Sequence, residues 1–280
     1  MEALVAVAIL AASLLHASWH AMVKSSGDRV VALGGMNVVS GTAALACIPF
    51  VKVPSPDVMA VIGFSVLLHC GYKVALARLY ARADLGQAYT LARGCTPLIA
   101  TVLGALFLMQ RPSAASLSGV VLISCGLLLL VAERGAARIS LGTVGVAGLA
   151  GTAVASYSVV DAYGIRLGGD WSGFTVWLIV MDALVFVTYV LLTRGRSAVR
   201  AWRADPWITL VTGLLGLTSF GVFMWALGRA HVGAVTALRE TSILFAALIG
   251  AIFLGERATV LRYASAVVVM TGVAVVSFAR

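Results

Sequence analysis

Apolar runs separated by short polar breaks fill the chain from end to end. Ten can be placed, at about 3–23, 30–51, 58–80, 85–109, 113–132, 140–163, 172–193, 206–228, 232–254 and 258–278. Charge, Pro or Gly marks the breaks, as in SSGDR at 25–29, PSPD at 54–57 and RGRSAVRAWRADP at 194–206. Each run is roughly 20–25 residues, long enough to cross a bilayer core as a helix. The short alternating segments of a membrane β-barrel do not occur. With no water in hydrocarbon to satisfy the backbone, such runs must be helical. No soluble domain or low-complexity linker fits between them.

Two of the stretches are copies. YARADLGQAYTLARGCTPLIA, from Tyr80, aligns with GRAHVGAVTALRETSILFAAL, from Gly228. Arg82 falls on Arg229 and Gly86 on Gly233. After a one-residue slip, Arg93 falls on Arg239, Gly104 on Gly250, Leu108 on Leu254 and Arg111 on Arg257. More faintly, Ala17-Ser18-Trp19 matches Ala155-Ser156-Tyr157. The chain therefore divides into 1–135 and 136–280, with five spans in each half. Five is odd, so the second half must enter the membrane upside down. The expected fold is an all-α integral membrane protein: ten transmembrane helices, as two inverted five-helix repeats around a central cavity.

Composition agrees with a lipid-facing surface. The chain is 61% hydrophobic and 11% charged, where soluble domains carry about 25% charge. The net charge of +9 is the excess that loops on the cytoplasmic side of a membrane carry. No basic run is joined to a polar domain, so nucleic acid is not an expected partner. Twelve loop cations, among them Arg194, Arg196, Arg200 and Arg203, fall on one side and five on the other. This bias puts the first side in the cytoplasm and both termini outside. No Lys or Arg precedes the first run, so it is expected to be a retained span, not a cleaved signal. Cys47, Cys70, Cys95 and Cys125 each sit in a separate run without metal spacing, and are expected to be small core residues. Gly142, Gly145, Gly148 and Gly151 read as a tight helix-packing stripe.

Polar residues inside spans are costly and are functional candidates for that reason. They fall at helical spacing: His16, Trp19 and His20; His69, Tyr72 and Lys73; Tyr89 and Arg93; Tyr157 and Asp161; Arg239, with Glu240 turned away beside it. Trp225 joins them as an aromatic in an apolar span. Each has a plain alternative. Trp19, Tyr157 and Trp225 also suit interfacial anchors. The three histidines also suit neutral groups bonded to neighbouring helices, and Lys73 a side chain snorkelling to the surface. Asp161 and Asp182 also suit structural pairing with an Arg. The spans at 30–51, 113–132, 172–193 and 258–278 are plainer, and are expected to form an outer wall.

At this point FLGER (253–257), followed by a span ending VVVMTGVAVVSFA, resembles the closing segment of EamA-type proteins of the drug/metabolite transporter superfamily. HASWHAMVKSSGDR (16–29) is similar to the first span and loop of many bacterial members. In the first copy Gln110 stands where Glu256 stands in the second, so any role of that Glu is not duplicated. Glu256 itself reads as a loop-fixing residue. The resemblance implies a multi-pass protein of the bacterial inner membrane that moves small metabolites, often exporting amino acids or drugs.

Together these readings favour a secondary transporter of amino acids with aromatic or other apolar side chains. Arg93 or Arg239 would hold a carboxylate, and Asp161 or Glu240 an ammonium. Sugar-phosphate or drug transport is the alternative within the same superfamily. An embedded enzyme would need a nucleophile–base or metal constellation, and no HExxH, GxSxG or paired-aspartate motif is present. No cofactor, metal or catalytic residue is expected. A receptor or scaffold would need an output domain that the sequence lacks. The expected partners are a small molecule and the lipid bilayer, and the fused repeat suits a monomer.

Overall fold

In the computed structural model, residues 2–80, 85–133, 141–246 and 259–278 are described. The chain runs α1 (Ala3–Ser25), α2 (Arg29–Cys47) with a 3-10 turn (Ile48–Phe50), α3 (Pro56–Tyr80), α4 (Leu85–Phe107), α5 (Ala114–Glu133), α6 (Leu141–Gly168), α7 (Trp171–Arg194), α8 (Arg196–Ala204), α9 (Pro206–Leu227), α10 (Val232–Glu240) and α11 (Val260–Phe278). Among the described residues there is no strand. Eight helices among the described residues are long and apolar enough to cross a membrane: α1 to α5, α7, α9 and α11. Of the described helices α6 is the longest, at 28 residues. Outward faces are strongly apolar, with Phe64 54%, Leu149 75% and Leu192 82% exposed. Such surface belongs against lipid, since a water-facing monomer rarely exposes that much.

Polar residues at the breaks set the helix starts. Asp28 accepts the Val30 and Val31 amides, Asp170 the Ser172 amide, and Asp205 the Ile208 amide ahead of Pro206. Each satisfies amide donors that a helix N-terminus leaves free. α7 ends at Gly195, whose φ of +56° closes its amide onto the Leu191 carbonyl at 2.8 Å. The chain then turns into α8, where the sequence pattern shows only a basic connection. Ala198 and Trp202, four apart, anchor that short helix. Ala198 is buried, and the Trp202 indole donates to the Val31 carbonyl at 2.8 Å. Arg196, Arg200 and Arg203 stay exposed, as on a helix lying along a membrane surface.

α5 packs along α11, α2 along α7, α1 along α9, and α6 against both α3 and α4. Glycines permit the closest approaches. A Cβ on Gly272 of α11 would lie 2.8 Å from the Gly119 carbonyl of α5, and one on Gly41 would lie 2.4 Å from the Ala183 Cβ. The expected stripe on α6 is corrected: only Gly151 meets a neighbour closely, at 2.7 Å from the Ala92 carbonyl, while Gly145 and Gly148 have nothing within 4 Å. Gly142 is exposed. The cysteines are corrected too, for Cys47 and Cys125 are exposed. They lie among the outward apolar side chains, where a small thiol is tolerated as readily as inside.

Among the described residues, α4 carries a proline inside it and α10 is broken. Pro97 sits within α4 and removes the amide that would bond the Arg93 carbonyl. α10 stops at Glu240, and helix resumes only over 242–246. At this break the Leu238 carbonyl accepts the Ser13 hydroxyl of α1 at 3.1 Å and the Thr241 hydroxyl at 2.6 Å. The freed backbone is thereby satisfied inside the protein, as lipid requires.

Candidate functional site: a central cavity with one cation left unpaired by acid

A cavity of about 110 Å³ lies between eight helices. It has room for on the order of seven to ten waters, the scale of a small metabolite. Of the residues expected at a site, His16, Trp19, His20, His69, Tyr72, Lys73, Arg93, Tyr157 and Arg239 all line it. Helical spacing brings them in as sets: three from α1, three from α3, then one each from α4, α6 and α10. The expected outer wall is half corrected. α5 and α11 contribute nothing to the cavity, but α2 supplies Met36, Asn37 and Ser40, and α7 supplies Asp182.

Most charges here are consumed in pairs. Arg93 Nη1 donates to Glu240 Oε1 at 2.8 Å, and its Nε lies 2.8 Å from Oε2. Nη2 lies 2.8 Å from His16 Nε2. The arginine is 2% exposed and Glu240 0%. Lys73 Nζ pairs with Asp182 Oδ2 and donates to Asn37 Oδ1 at 2.9 Å. The alternative in which Lys73 snorkels away is therefore set aside. Asp161 is fully buried, takes the Ser65 hydroxyl on one oxygen, and lies 3.1 Å from His69 Nε2 through the other. Asp161 and Glu240 are thus closed off from any ammonium in the cavity.

Arg239 differs. Its guanidinium lies over the Phe223 ring, 4.2 Å from the centroid, and donates to the Tyr157 hydroxyl at 3.4 Å. No carboxylate pairs with it among the described residues. Aromatic walls flank it. His69 stacks on Tyr157 at 4.0 Å, and Trp19 stacks on His20 at 3.7 Å. The Trp19 indole N–H is buried with no hydrogen-bond partner among the described residues, although buried donors are nearly always satisfied.

Trp225 does not join this group. It packs on the main core, with the Arg229 guanidinium 4.5 Å from its ring. Its position near the end of α9 suits the anchoring role. Tyr89 lies on α4 one turn before Arg93, but its side chain falls outside the described residues, as does Glu256. Gln110, which the repeat sets against Glu256, accepts the Val232 amide at 2.9 Å and so caps α10. A second space, of about 580 Å³, opens beside that cap, lined by Arg111, Arg166, Arg229 and His231. Burial first, and Arg166 second, hold His231 below its ordinary value.

Among the described residues no cluster of three or more His, Cys, Asp or Glu is placed to hold a metal. Sequence reasoning gave Asp182 no preferred role and passed over Asn37, because each is a lone polar residue in an apolar span. Only the position of Lys73 across the helix interface reveals them.

No curated protein sequence matches the chain. A solved structure, described only as "Crystal structure of protein", matches over 100% of this chain and 99% of its own, with TM-score 0.75 and 16% identity. At that identity it speaks for the fold alone. Residues 143–278 match the EamA-like transporter family. Members of that family are membrane transporters, not enzymes. Over that second half, the chain is similar to the EamA-like transporters of the drug/metabolite transporter superfamily.

Proposed function

We propose that the protein is a secondary transporter of the bacterial inner membrane that exports small ring-bearing carboxylates, amino acids with aromatic or apolar side chains foremost, by alternating access. The observation that carries this reading is Arg239, a cavity-lining cation with aromatic neighbours and no carboxylate in ion-pair contact among the described residues. A guanidinium donates in a fork that matches a carboxylate. The Trp19–His20 and His69–Tyr157 stacks supply flat apolar faces, and the Trp19 indole a spare donor. Among the described cavity residues, lipophilic cations find no carboxylate outside an existing pair. Sugar phosphates share the need for a cation but not for the aromatic walls.

Ten spans in two inverted repeats complete the proposal, with α6 and the broken α10 segment supplying the two crossings beyond the eight apolar helices. Reciprocal contacts support it. If α1, α2, α3, α4 and α5 correspond to α6, α7, α9, α10 and α11, then α1 on α9 mirrors α6 on α3, and α2 on α9 mirrors α7 on α3. Pro97 within α4 and the break at Thr241 fall close after Arg93 and Arg239, which the repeat equates. Broken helices near mid-membrane are where transporters place their sites. One chain supplies the cavity lining, which supports the reading of a working monomer.

Liposomes containing the purified protein test this. Counterflow of phenylalanine and of phenylacetate should exceed that of phenylethylamine and glucose 6-phosphate. Faster phenylethylamine counterflow would overturn the carboxylate reading. A C-terminal reporter active only outside the cytoplasm should be active, as the loop charges require.

A further inference from the structure

We infer that His69 and Asp161 form a proton-binding site that links uptake of a proton to binding of an anion on Arg239; this rests on the carboxylate reading of the cavity. Asp161 is fully buried between α3 and α6. Its oxygens meet the Ser65 hydroxyl and His69 Nε2, and neither Lys nor Arg pairs with it among the described residues. A lone ionised carboxylate is costly in such a place. One proton relieves the cost, held either as imidazolium beside carboxylate or as carboxylic acid beside neutral imidazole. In both forms the pair carries one proton more than an imidazole facing a carboxylate.

The position of His69 gives that proton a route and a sensor. One ring nitrogen faces the sealed acid, while the ring lines the cavity and stacks on Tyr157. The Tyr157 hydroxyl in turn accepts from Arg239. The other charges facing this place are balanced. On α3, Lys73 is paired with Asp182 of α7, and Arg93 of α4 is paired with Glu240 of α10. His16 and His20 of α1 line the same cavity, and α9 faces His69 with the uncharged Phe220. Arg239 is then the net cation next to the pair, and it opposes a second positive charge on His69. An anion on Arg239 removes that opposition and favours the protonated pair. By linkage, protonation strengthens anion binding by the same factor. Carboxylate and proton would therefore leave together when the cavity opens to the other side, and export would be driven by the carboxylate's own outward gradient.

Calorimetry of phenylacetate binding, in buffers of different ionisation enthalpy from about pH 6 to about pH 9, counts the protons taken up. Wild type should approach about one proton per phenylacetate within that range. His69→Gln and Asp161→Asn should bind phenylacetate with uptake near zero. Uptake near zero at every pH in wild type, or undiminished uptake in both variants, would overturn the link. A ligand-free arm separates this from the cavity reading. Infrared difference spectra on a pH step should show one protonating carboxyl or imidazole band, lost in both variants. If that band is present while no phenylacetate binds, the carboxylate reading fails and the proton site stands. If phenylacetate binds and no such band exists, the proton site fails alone.

Discussion

Glu240 of α10 closes on Arg93 of α4 across 147 positions of chain, one guanidinium nitrogen 2.8 Å from each of its two oxygens. The residue before it, Arg239, points elsewhere, because neighbours on a helix are turned about 100° apart. One turn of α10 thus supplies both a structural anchor and a cation with no carboxylate partner among the described residues.

The anchor should be expensive to break and cheaper to replace. Arg93→Ala or Glu240→Ala leaves one buried charge alone and should cost about 3–5 kcal/mol. The double variant Arg93→Met, Glu240→Leu should recover much of that loss. Thermal unfolding in detergent reads all three. Single variants that melt like wild type would show that the pair does not hold α4 to α10.

Arg239→Gln should behave differently. Loss of one charge-assisted contact should weaken phenylacetate binding by about 10- to 100-fold and leave the melting temperature nearly unchanged. Arg239→Lys should restore it only in part, since an ammonium lacks the fork. Equal affinity in all three proteins would take the carboxylate off this residue.

Trp19→Ala should separate substrates by shape. A ring leaving water for the wall gains roughly 25 cal/mol per Å² of apolar area. The variant should therefore lose phenylalanine transport far more than alanine transport, and Trp19→Phe should keep most of both. Matched losses in liposome counterflow would make the indole a packing residue only.

The Asp28–Arg194 pair gives a small acid-sensitive contribution. Burial raises the Asp28 carboxyl, but hydrogen bonds from Arg194 and from the Val31 and Val30 amides outweigh it and hold it below the usual carboxylate range. A depressed carboxylate stabilises the fold above its unfolded value of about 3.9, and that contribution is lost as pH falls through the lower folded value. Both side chains are about 40% exposed, so the ion pair itself is worth under about 1 kcal/mol. Asp28→Ala also removes the cap of α2, and should lower stability by about 1 kcal/mol at neutral pH. The gap from wild type should narrow in acid. A gap that widens below about pH 4 would contradict the sign.

Helical spacing made the sets His16–Trp19–His20 and His69–Tyr72–Lys73 legible, because residues three and four apart must share a face. It could not say how each helix is rotated against its neighbours. The pairing of Lys73 with Asp182, 109 positions away, has no local signature. Nor has the choice of Glu240 over Asp161 as the partner of Arg93. Trp225 stayed open between anchor and site for the same reason: an aromatic in an apolar span reads alike whether it faces a cavity or a core. The apolar runs of α2 and α7 concealed their part in the cavity because one amide and one acid barely disturb their pattern. α8 escaped because nine residues with three arginines form no run at all.

The embrace of α5 by α11 sets the order in which the molecule can be completed. Ser265 donates to the Gly126 carbonyl across 139 positions, a length of chain that takes on the order of ten seconds to synthesise. α5 is therefore made well before α11, and its glycine-lined face around Gly119 and Gly126 must wait for its mate. Small residues welcome any close helix, so a nascent chain stalled before Val260 offers that groove to its neighbours. Arrival of α11 ends the exposure, and the glycines that make the final seam tight are the same ones that make the wait hazardous.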